Sequence, residues 1–427
     1  SEASYINALS VRPDYTQVYS NLLMLIGSMQ FQPDLYKQYA EKFSNIVRES
    51  VGLRYTSWQT NNTTKHLRVG FVSGDLRSHP VGYFIEALLK ALQSSHLELF
   101  AYPTVDKSDC VTQRLQYLFD AWRPLEHLSD EEAARKIHDD GIQILIDLSG
   151  HTAANRLPVF AWKPAPIQVT WLGYFASTGL QDMDYIIGDP FVTPINEEED
   201  FLEKVCQLPE SYLCFTPPNN DLKVSALPAL SNGFVTFGCF NKLSRVTDEV
   251  VSVVARILLA VPQSKIFLKD HQLAHEDNRS RISSKFAACG ISSNRLIFEG
   301  RENRDQYLAC YNRVDIALSP FPYGGGTTTV EGLWMGVPCI TRVGSYFLSH
   351  IGESVAHNSG LSDWVAIDND DYVAKAVSFS SDLESLAALR SGLREQIRAS
   401  PLFDATKFAE HFTRALVSMS KSLTQTD

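Results

Sequence analysis

The sequence predicts an α/β protein made of two doubly wound units, each a parallel sheet covered by helices. From Leu67 onward, short apolar segments alternate with amphipathic helical segments, and this alternation occurs twice, before and after a loop rich in Pro and Asn at 216–232. The chain of 427 residues also exceeds the roughly 250 to 300 residues that one hydrophobic core usually organises. We therefore expect two large units with smaller segments attached.

The first unit is predicted to span 65–215 and the second 233–400. Candidate strands of the first are LRVGFVSG, LELFAYP, IQILIDLSG, VTWLGY and DYIIGDP, with helices near 82–92 and 130–139. Candidate strands of the second are GFVTFGCFN, SKIFLKD, RLIFEG, VDIALSP and VPCITRVG, with helices near 248–259 and 278–288. Strands that alternate with helices in this way form parallel sheets, whose ligands bind at the carboxyl ends of the strands.

Two helical segments flank these units, at 1–60 and 404–427. Helix-spaced apolar residues on both sides of Pro13 predict two antiparallel helices, with a further helix at 35–47 and the polar linker TNNTTK after it. The pattern resembles the last unit of a tetratricopeptide array, a repeat of about 34 residues that needs neighbours to bury its faces. We expect a longer array upstream. The final helix, 408–423, could pack back on the first unit.

Composition narrows the class of protein. The net charge is −11 without a cluster of basic residues, which argues against a nucleic-acid partner. No apolar run reaches the length of a membrane span and no signal peptide is evident, so we expect a cytoplasmic protein without a membrane partner. Seven scattered cysteines without a CxxC pair predict reduced thiols. His271 and His275 have helical metal-pair spacing but lack the glutamate of HExxH, so we expect no metal and no cofactor.

The segment LSPFPYGGGTTTVEGLWMG predicts a phosphate-binding loop between a strand and a helix. Gly325 and Gly326 let backbone N–H groups approach an anion, the helix N-terminus adds partial positive charge, and Thr327 and Thr328 supply hydroxyls. Thr328 and Glu331 also form a T-x-x-E capping box that would explain both without a ligand. Three consecutive glycines exceed what a cap requires, so we predict pyrophosphate binding, with Glu331 as either a ribose contact or a cap.

Two basic segments lie near this loop in the predicted sheet. Lys242 and Arg245 follow the strand GFVTFGCFN, where a cation could neutralise a leaving diphosphate, or where both could simply begin a solvated helix. Arg304 and Tyr307 are spaced i, i+3 on a short helix before the glycine-loop strand, so both could face one ligand. A nucleotide base could stack on Tyr307. Considered without its neighbours, Tyr307 would be interpreted as an ordinary half-buried aromatic residue.

The first unit carries its candidate residues after two strands. His79 lies on a loop just before Pro80, where a histidine could accept a proton near neutral pH. The segment LIDLSGHTAANR ends a strand with Asp147, Ser149, His151 and Thr152, which could bind sugar hydroxyls or the acceptor, although Asp147 could equally brace the turn.

These motifs resemble the protein O-GlcNAc transferases and their SPINDLY-like and bacterial relatives. The resemblance spans about 67–364 plus the repeat-like N-terminus, and rests on RVGFVSGDLRSHP, DLSGHT, PAPIQVTWLGY, MDYIIGDP, LSNGFVTFGCFN and FPYGGGTTTVEGLWMGVP. It implies a GT-B glycosyltransferase fold with two Rossmann-like halves. It also implies an inverting transfer of sugar, most simply GlcNAc, from a UDP-sugar to Ser or Thr of proteins recruited by the repeats.

The resemblance also implies a role for individual residues. His79 falls at the position of the active-site histidine, Arg245 at that of a basic contact to the donor phosphates, and Leu172 with Gly173 at a sugar-lining turn. The residues at phosphate, uracil and ribose positions are Thr327, Thr328, Arg304, Tyr307 and Glu331.

Two departures from the family pattern keep alternatives open. The phosphate contact is usually lysine and here is Arg245, and Gly326 stands where the animal enzymes have histidine. Transfer of glucose from UDP-glucose to Asn, or of fucose from GDP-fucose as in the SPINDLY branch, remain alternatives within the class. An inactive scaffold that senses a nucleotide sugar is the alternative from a different class.

Overall fold

The structure is a computed structural model, and it describes residues 2–28, 32–58, 66–218 and 222–423. The predicted linker TNNTTK lies outside these ranges. The helices of the described residues are α1 (Glu2–Val11), α2 (Thr16–Ser28), α3 (Pro33–Glu49), α4 (Pro80–Leu92), α5 (Cys110–Gln116), α6 (Asp130–Asp139), α7 (Leu157–Ala161), α8 (Pro228–Asn232), α9 (Asp248–Ala260), α10 (Glu276–Ala288), α11 (Arg304–Ala309), α12 (Thr327–Trp334), α13 (Phe347–Asn358), α14 (Asn369–Ser381), α15 (Leu383–Arg398) and α16 (Ala405–Leu423). The strands are β1 (Leu67–Ser73), β2 (Leu97–Pro103), β3 (Ala121–Trp122), β4 (Ile144–Asp147), β5 (Ile167–Thr170), β6 (Tyr185–Gly188), β7 (Lys204–Gln207), β8 (Thr236–Cys239), β9 (Lys265–Lys269), β10 (Leu296–Glu299), β11 (Ile316–Leu318), β12 (Cys339–Arg342) and β13 (Val365–Ala366).

The chain folds into two compact units. Unit 1 combines 1–216 with 404–427, and unit 2 is 217–403. The sequence predicted the helical segment 1–60 and the final helix 404–427 as segments of their own, with the final helix able to pack back on the first unit. In the structure both belong to unit 1, because their apolar faces are buried there.

The sheet of unit 1 is parallel, with the strand order β3-β2-β1-β4-β5-β6-β7. Its order reverses between β1 and β4, which pair from Val69↔Ile144 to Val72↔Asp147. Ligands of open α/β sheets bind at such a reversal, beyond the carboxyl ends of the strands. Because β1, β4 and β5 are neighbours, the loops after these three strands lie at the edge of the sheet where a ligand is expected.

Helices α1 to α3 pack on unit 1 through a buried apolar face. Leu22, Leu23, Phe43 and Val47 are at most 1% exposed and share one core with residues of the sheet and its helices. The last helix, α16, packs its aromatic residues on Trp171, whose ring centroid lies 5.0 Å from that of Phe412. Burial of these faces explains why both segments belong to unit 1.

Unit 2 contains a second parallel sheet, of order β10-β9-β8-β11-β12-β13. The order reverses between β8 and β11, which pair at Ile316↔Phe237 and Ala317↔Gly238. The two doubly wound sheets predicted from the sequence are therefore present. The helices α13, α14 and α15 and the short elements α5, α7, α8, β3 and β7 were not predicted.

Local capping explains where several predicted helices begin. Ser129 and Glu132 form a reciprocal capping box, so α6 starts at Asp130 as the sequence predicts. The hydroxyl of Thr247 accepts a hydrogen bond from Val250 N and starts α9. Among the described residues, no helix is both long and apolar enough to cross a membrane.

Candidate active site

The glycine loop of unit 2 runs from the end of β11 to the start of α12. Gly325 N donates a hydrogen bond to Ser319 Oγ (3.1 Å), and Thr329 Oγ1 donates one to the carbonyl of Gly325 (2.5 Å). A Cβ atom at Gly325 would lie 2.1 Å from Thr328 Oγ1. The loop is therefore closed so tightly that Gly325 admits no side chain without rearrangement.

Helix α12 begins without a side-chain cap. Its N-cap residue is Gly326, and the hydroxyl of Thr328 donates to Asn241 Oδ1 (3.2 Å) instead of closing a capping box. The first N–H groups of a helix have no acceptor within the helix and carry partial positive charge. The start of α12 therefore presents donors that suit an anion, and the capping alternative for Thr328 and Glu331 is not observed.

Arg245 lies against the glycine loop from the segment after β8. Its Nη1 atom donates to the carbonyl of Gly324 (2.8 Å), and the guanidinium carbon lies 3.3 Å from the ring centroid of Tyr323. Burial lowers the pKa of Arg245 from its ordinary value, because the charged form is desolvated. Within the described residues no carboxylate pairs with this guanidinium, and its Nε–H has no acceptor.

Lys242 differs from Arg245 although both follow the same strand. The Lys242 side chain is exposed, and its backbone carbonyl accepts a hydrogen bond from Arg245 N (2.9 Å). That bond closes the short 3₁₀ turn Leu243–Arg245 and turns Arg245 toward the glycine loop. In this structure Lys242 therefore shapes the turn, while the predicted contact of its amine with a nucleotide stays a prediction.

The residues predicted at the nucleoside position come together. Arg304 Nη2 lies 2.6 Å from Glu331 Oε1, and Glu331 is only 2% exposed. Burial raises the pKa of Glu331, while Arg304 acts in the opposite direction. The ring of Tyr307 packs against Phe240 (6.0 Å between centroids), and its hydroxyl lies 3.3 Å from that of Tyr311. The i, i+3 spacing of α11 thus directs Arg304 and Tyr307 toward one carboxylate on α12.

In unit 1, His79 is the N-cap residue of α4. Its Nδ1 atom lies 3.4 Å from Val81 N and 3.5 Å from Asp75 Oδ2, and the side chain is 37% exposed. Asp109 accepts a hydrogen bond from Ser78 N (2.8 Å) and holds the preceding residue. Nδ1 accepts the Val81 N–H, so in this arrangement the proton of the neutral ring is on Nε2. For Nε2 to accept a proton, Nδ1 would have to release Val81 N and donate its own proton to Asp75.

The loop after β4 contradicts part of the sequence prediction. His151 is 2% exposed, and both ring nitrogens are bonded, Nδ1 to Ser20 Oγ (3.0 Å) and Nε2 to the carbonyl of Thr178 (2.8 Å). Burial lowers its pKa to about 4. The predicted contact of His151 with sugar or acceptor is therefore wrong for this conformation, because neither nitrogen is available.

Two neighbours of His151 serve the loop itself. Asp147 accepts hydrogen bonds from Ser149 N (3.1 Å), Gly150 N (2.8 Å) and Thr170 Oγ1 (3.0 Å), while burial raises its pKa to about 6. Thr152 is half-buried and donates to the carbonyl of Ser149 (2.7 Å). Of the alternatives for Asp147, the structure favours the brace.

The turn after β5 has an unusual backbone. Leu172 has φ +72°, and Gly173 N donates to the carbonyl of Trp171 (2.8 Å), two residues back. This combination is a γ-turn with positive φ at a non-glycine residue, a rare and strained conformation. A Cβ atom at Gly173 would lie 1.8 Å from the carbonyl oxygen of Leu148, so glycine is required there.

One group in unit 2 has the composition of a metal site. Among the described residues, Glu299, Glu302 and Cys310 could place ligand atoms around one ion. The amine of Lys269 lies 2.6 Å from Glu302 and 3.6 Å from Glu299 and supplies the positive charge itself. These carboxylates form an ion-pair cluster with lysine.

Comparison with known proteins decides the family. The sequence pattern of glycosyl transferase family 41 matches residues 34–216 and 221–412. The chain belongs to glycosyl transferase family 41. The resemblance noted from the motifs is thus confirmed, and with it the GT-B fold, which a protein of much lower sequence identity shares. Sucrose-phosphate synthase of Thermosynechococcus elongatus superposes with a TM-score of 0.56 at 12% identity, covering 84% of this chain and 100% of that one.

Relatives within the family are similar over nearly the whole chain. A protein of Solanum lycopersicum named probable UDP-N-acetylglucosamine–peptide N-acetylglucosaminyltransferase SPINDLY is 36% identical over 97% of this chain and 45% of its own length. A mutant of the Thermobaculum terrenum O-GlcNAc transferase has a TM-score of 0.93 at 34% identity, covering 100% of this chain and 81% of that one. The chain spans about half the length of the curated relatives it matches.

Three residues that hold candidate residues of the two units were not found from the sequence. Tyr323 lies beneath Arg245, Asp75 faces His79, and Asp109 holds the loop before His79. Tyr323 lies within the glycine motif, directly before three glycines, and this position could have identified it as a candidate residue. The partners of Asp75 and Asp109 are set by loop conformation, which composition does not encode.

Proposed function

We propose that the protein is an inverting glycosyltransferase that transfers N-acetylglucosamine from UDP-GlcNAc to Ser or Thr hydroxyls of proteins. The observation that carries the proposal is Arg245, a largely buried cation without a carboxylate partner in the described part of the chain, held at a glycine loop that opens α12. Such an arrangement suits a diphosphate. The names of the curated relatives and of the 34% identical structure support the sugar and the protein acceptor.

Arg245 and the start of α12 would act on the leaving group. As the bond between the anomeric carbon and the diphosphate oxygen breaks, negative charge grows on that oxygen. A fixed guanidinium and fixed N–H donors stabilise this charge without reorganising, and Thr327 and Thr328 would add hydroxyl donors. The Arg304–Glu331 pair and Tyr307 would hold the nucleoside.

His79 would act on the acceptor. The acceptor hydroxyl oxygen bonds to the anomeric carbon as UDP leaves, and the hydroxyl proton must move to a base. Nε2 of His79 would take it once Nδ1 has exchanged the Val81 N–H for a bond in which it donates to Asp75; the alternative role for the imidazole is to orient the acceptor only. The Leu172–Gly173 turn, with the strained backbone of Leu172, would line the sugar.

We infer that the reaction needs no metal, because Arg245 and α12 already supply positive charge at the diphosphate. Calorimetry of UDP binding with and without EDTA tests this. Equal affinities are expected, and loss of most of the affinity on chelation would refute the metal-free mechanism.

The donor is tested by incubating the protein with UDP-GlcNAc, UDP-glucose and GDP-fucose and measuring thermal stabilisation and release of free nucleotide. A bound nucleoside diphosphate sugar stabilises the folded state by mass action. Stabilisation and turnover with UDP-GlcNAc are expected. A preference for UDP-glucose or GDP-fucose would identify one of the alternative transferases, and binding without turnover on any acceptor would identify a sensor.

We further propose that the protein acts in the cytoplasm and that tetratricopeptide repeats recruit its acceptors. The seven cysteines are free thiols in the structure, as expected for a reducing compartment. The paired helices α1 and α2 at the start of the chain support the repeat interpretation. Pull-down of acceptors by the full-length protein with and without its repeats tests recruitment.

A further inference from the structure

Helix α2 reaches the loop after β4 through a buried hydrogen bond between Ser20 and His151. His151 Nε2 faces the carbonyl of Thr178, which only accepts, so Nε2 carries the proton. Nδ1 is therefore an acceptor, and Ser20 Oγ donates its proton to it over 3.0 Å. The ring is neutral, since burial lowers its pKa to about 4. Ser20 thus satisfies a nitrogen that has no contact with solvent.

Helix α3 reaches the turn after β5 in a similar way. The hydroxyl of Tyr36 lies 2.7 Å from the carbonyl of Ser177 and 2.7 Å from the hydroxyl of Tyr174. The carbonyl only accepts, so Tyr36 donates to Ser177 and accepts the proton of Tyr174. The ring of His151 also packs edge-on against Phe43 of α3 (4.9 Å) and against Tyr174 (5.3 Å).

The two loops reached by these helices pack directly on one another. A Cβ atom at Gly150, which has φ +51°, would lie 2.2 Å from Cβ of Tyr174. A Cβ atom at Gly173 would lie 1.8 Å from the carbonyl oxygen of Leu148. The two loops are therefore in close contact at Gly150 and Gly173, so a shift of His151 or Tyr174 would press on the γ-turn at Leu172.

We propose that Ser20 and Tyr36 are positioning residues for the sugar-transfer reaction, which they influence by fixing His151 and Tyr174 and thereby the γ-turn at Leu172. The repeat-like helices are then a working part of the catalytic half as well as a connection to acceptor-binding repeats. The inference rests on the proposed function for its effect on turnover, whereas its structural part stands on the geometry of unit 1.

The structural part is tested by hydrogen exchange on the whole chain. Ser20→Ala and Tyr36→Phe each remove one hydroxyl. Ser28→Ala on α2 and Tyr39→Phe on α3 are the matched controls, because Ser28 Oγ bonds within its own helix to the carbonyl of Leu25 and the Tyr39 ring packs on Tyr19. Faster exchange of backbone amides in 148–152 and 171–174 is expected in the first two variants alone. Equal exchange in all four would overturn the inference.

The effect on turnover is tested with UDP-GlcNAc and a protein acceptor, well below the melting temperature of each variant. Displacement of a positioned group can cost up to about 100-fold in rate, and we expect kcat to fall by roughly 10-fold in Ser20→Ala and Tyr36→Phe. Affinity for UDP alone should not change, and Ser20→Thr, which keeps the hydroxyl, should restore kcat. If kcat stays unchanged and only the melting temperature falls, Ser20 and Tyr36 contribute to stability and not to positioning.

The two failures are distinguishable. If the parent protein transfers no sugar from any donor, the proposed function is refuted while the exchange experiment still decides whether α2 and α3 hold the two loops. If the parent is active and the variants match their controls in exchange and kcat, the positioning role alone is refuted.

Discussion

Replacing Arg245 by Met should weaken UDP binding without destabilising the unliganded protein. Methionine keeps much of the length and the apolar contact with Tyr323 but removes the charge. Burial lowers the pKa of Arg245, which means that the folded environment disfavours the charged form relative to water. The substitution removes this cost, so the melting temperature without ligand should stay equal or rise.

The size of the binding effect follows from the contacts. Hydrogen bonds to charged groups contribute about 1.5 to 3 kcal/mol each, which corresponds to roughly 10- to 150-fold in dissociation constant. Among the described residues the buried Nε–H of Arg245 has no acceptor, so a phosphate oxygen that reached it would form a hydrogen bond without displacing another. We expect UDP affinity to fall within that range and turnover to fall further, since negative charge on the diphosphate grows in the transition state.

Calorimetry with UDP and thermal melting of the unliganded protein measure the two effects. Arg398→Ala is the control, because Arg398 is exposed and pairs only with Glu395 on its own helix among the described residues. The control should leave UDP affinity unchanged. Unaltered UDP affinity in a folded Arg245→Met protein would refute the assignment of Arg245 to the diphosphate, and a marked fall in melting temperature would refute the argument from burial.

Three further substitutions separate the remaining roles. His79→Ala should leave UDP affinity nearly unchanged and lower turnover by roughly 10²- to 10⁴-fold if His79 is a general base; full rate in a protein-transfer assay would withdraw that role. Gly326→Ala should fold, because its Cβ would lie 3.4 Å from Ile351 Cγ2, in ordinary contact. This variant should nonetheless bind UDP more weakly if the backbone must approach the phosphate. If calorimetry finds the affinity of the parent protein, the glycine loop has only a structural role. His151→Gln should flatten the pH dependence of stability. The folded pKa of His151 is about 4 against an ordinary 6.5, so its contribution is complete above pH 6.5 and is lost as pH falls toward 4, by at most about 3 kcal/mol. Urea unfolding at pH 7.5 and pH 5 measures this, and an equal loss in parent and variant would contradict it; Asp147, whose raised pKa acts in the opposite direction, is common to both.

Much of the fold could be predicted because its signals are local. Apolar segments that alternate with amphipathic ones, and caps such as Ser129 and Thr247, act within a few residues of themselves. The grouping of Arg304 and Tyr307 was predictable for the same reason, since α-helical spacing places residues i and i+3 on one face. The glycine loop followed from backbone sterics, because only glycine permits so close an approach.

The sequence by itself therefore determined the two doubly wound units, the position of the glycine loop and the candidates Arg245 and His79. Only the tertiary structure decided which candidates are accessible. His151 and its partner Ser20 are separated by 131 positions, and nothing local to DLSGHT indicates that a helix near the start of the chain occupies its ring nitrogen. Glu331 likewise pairs with Arg304 on another helix rather than closing its own capping box. Local spacing specifies which side chains could meet, whereas burial and hydrogen bonding between distant segments select the contacts that form.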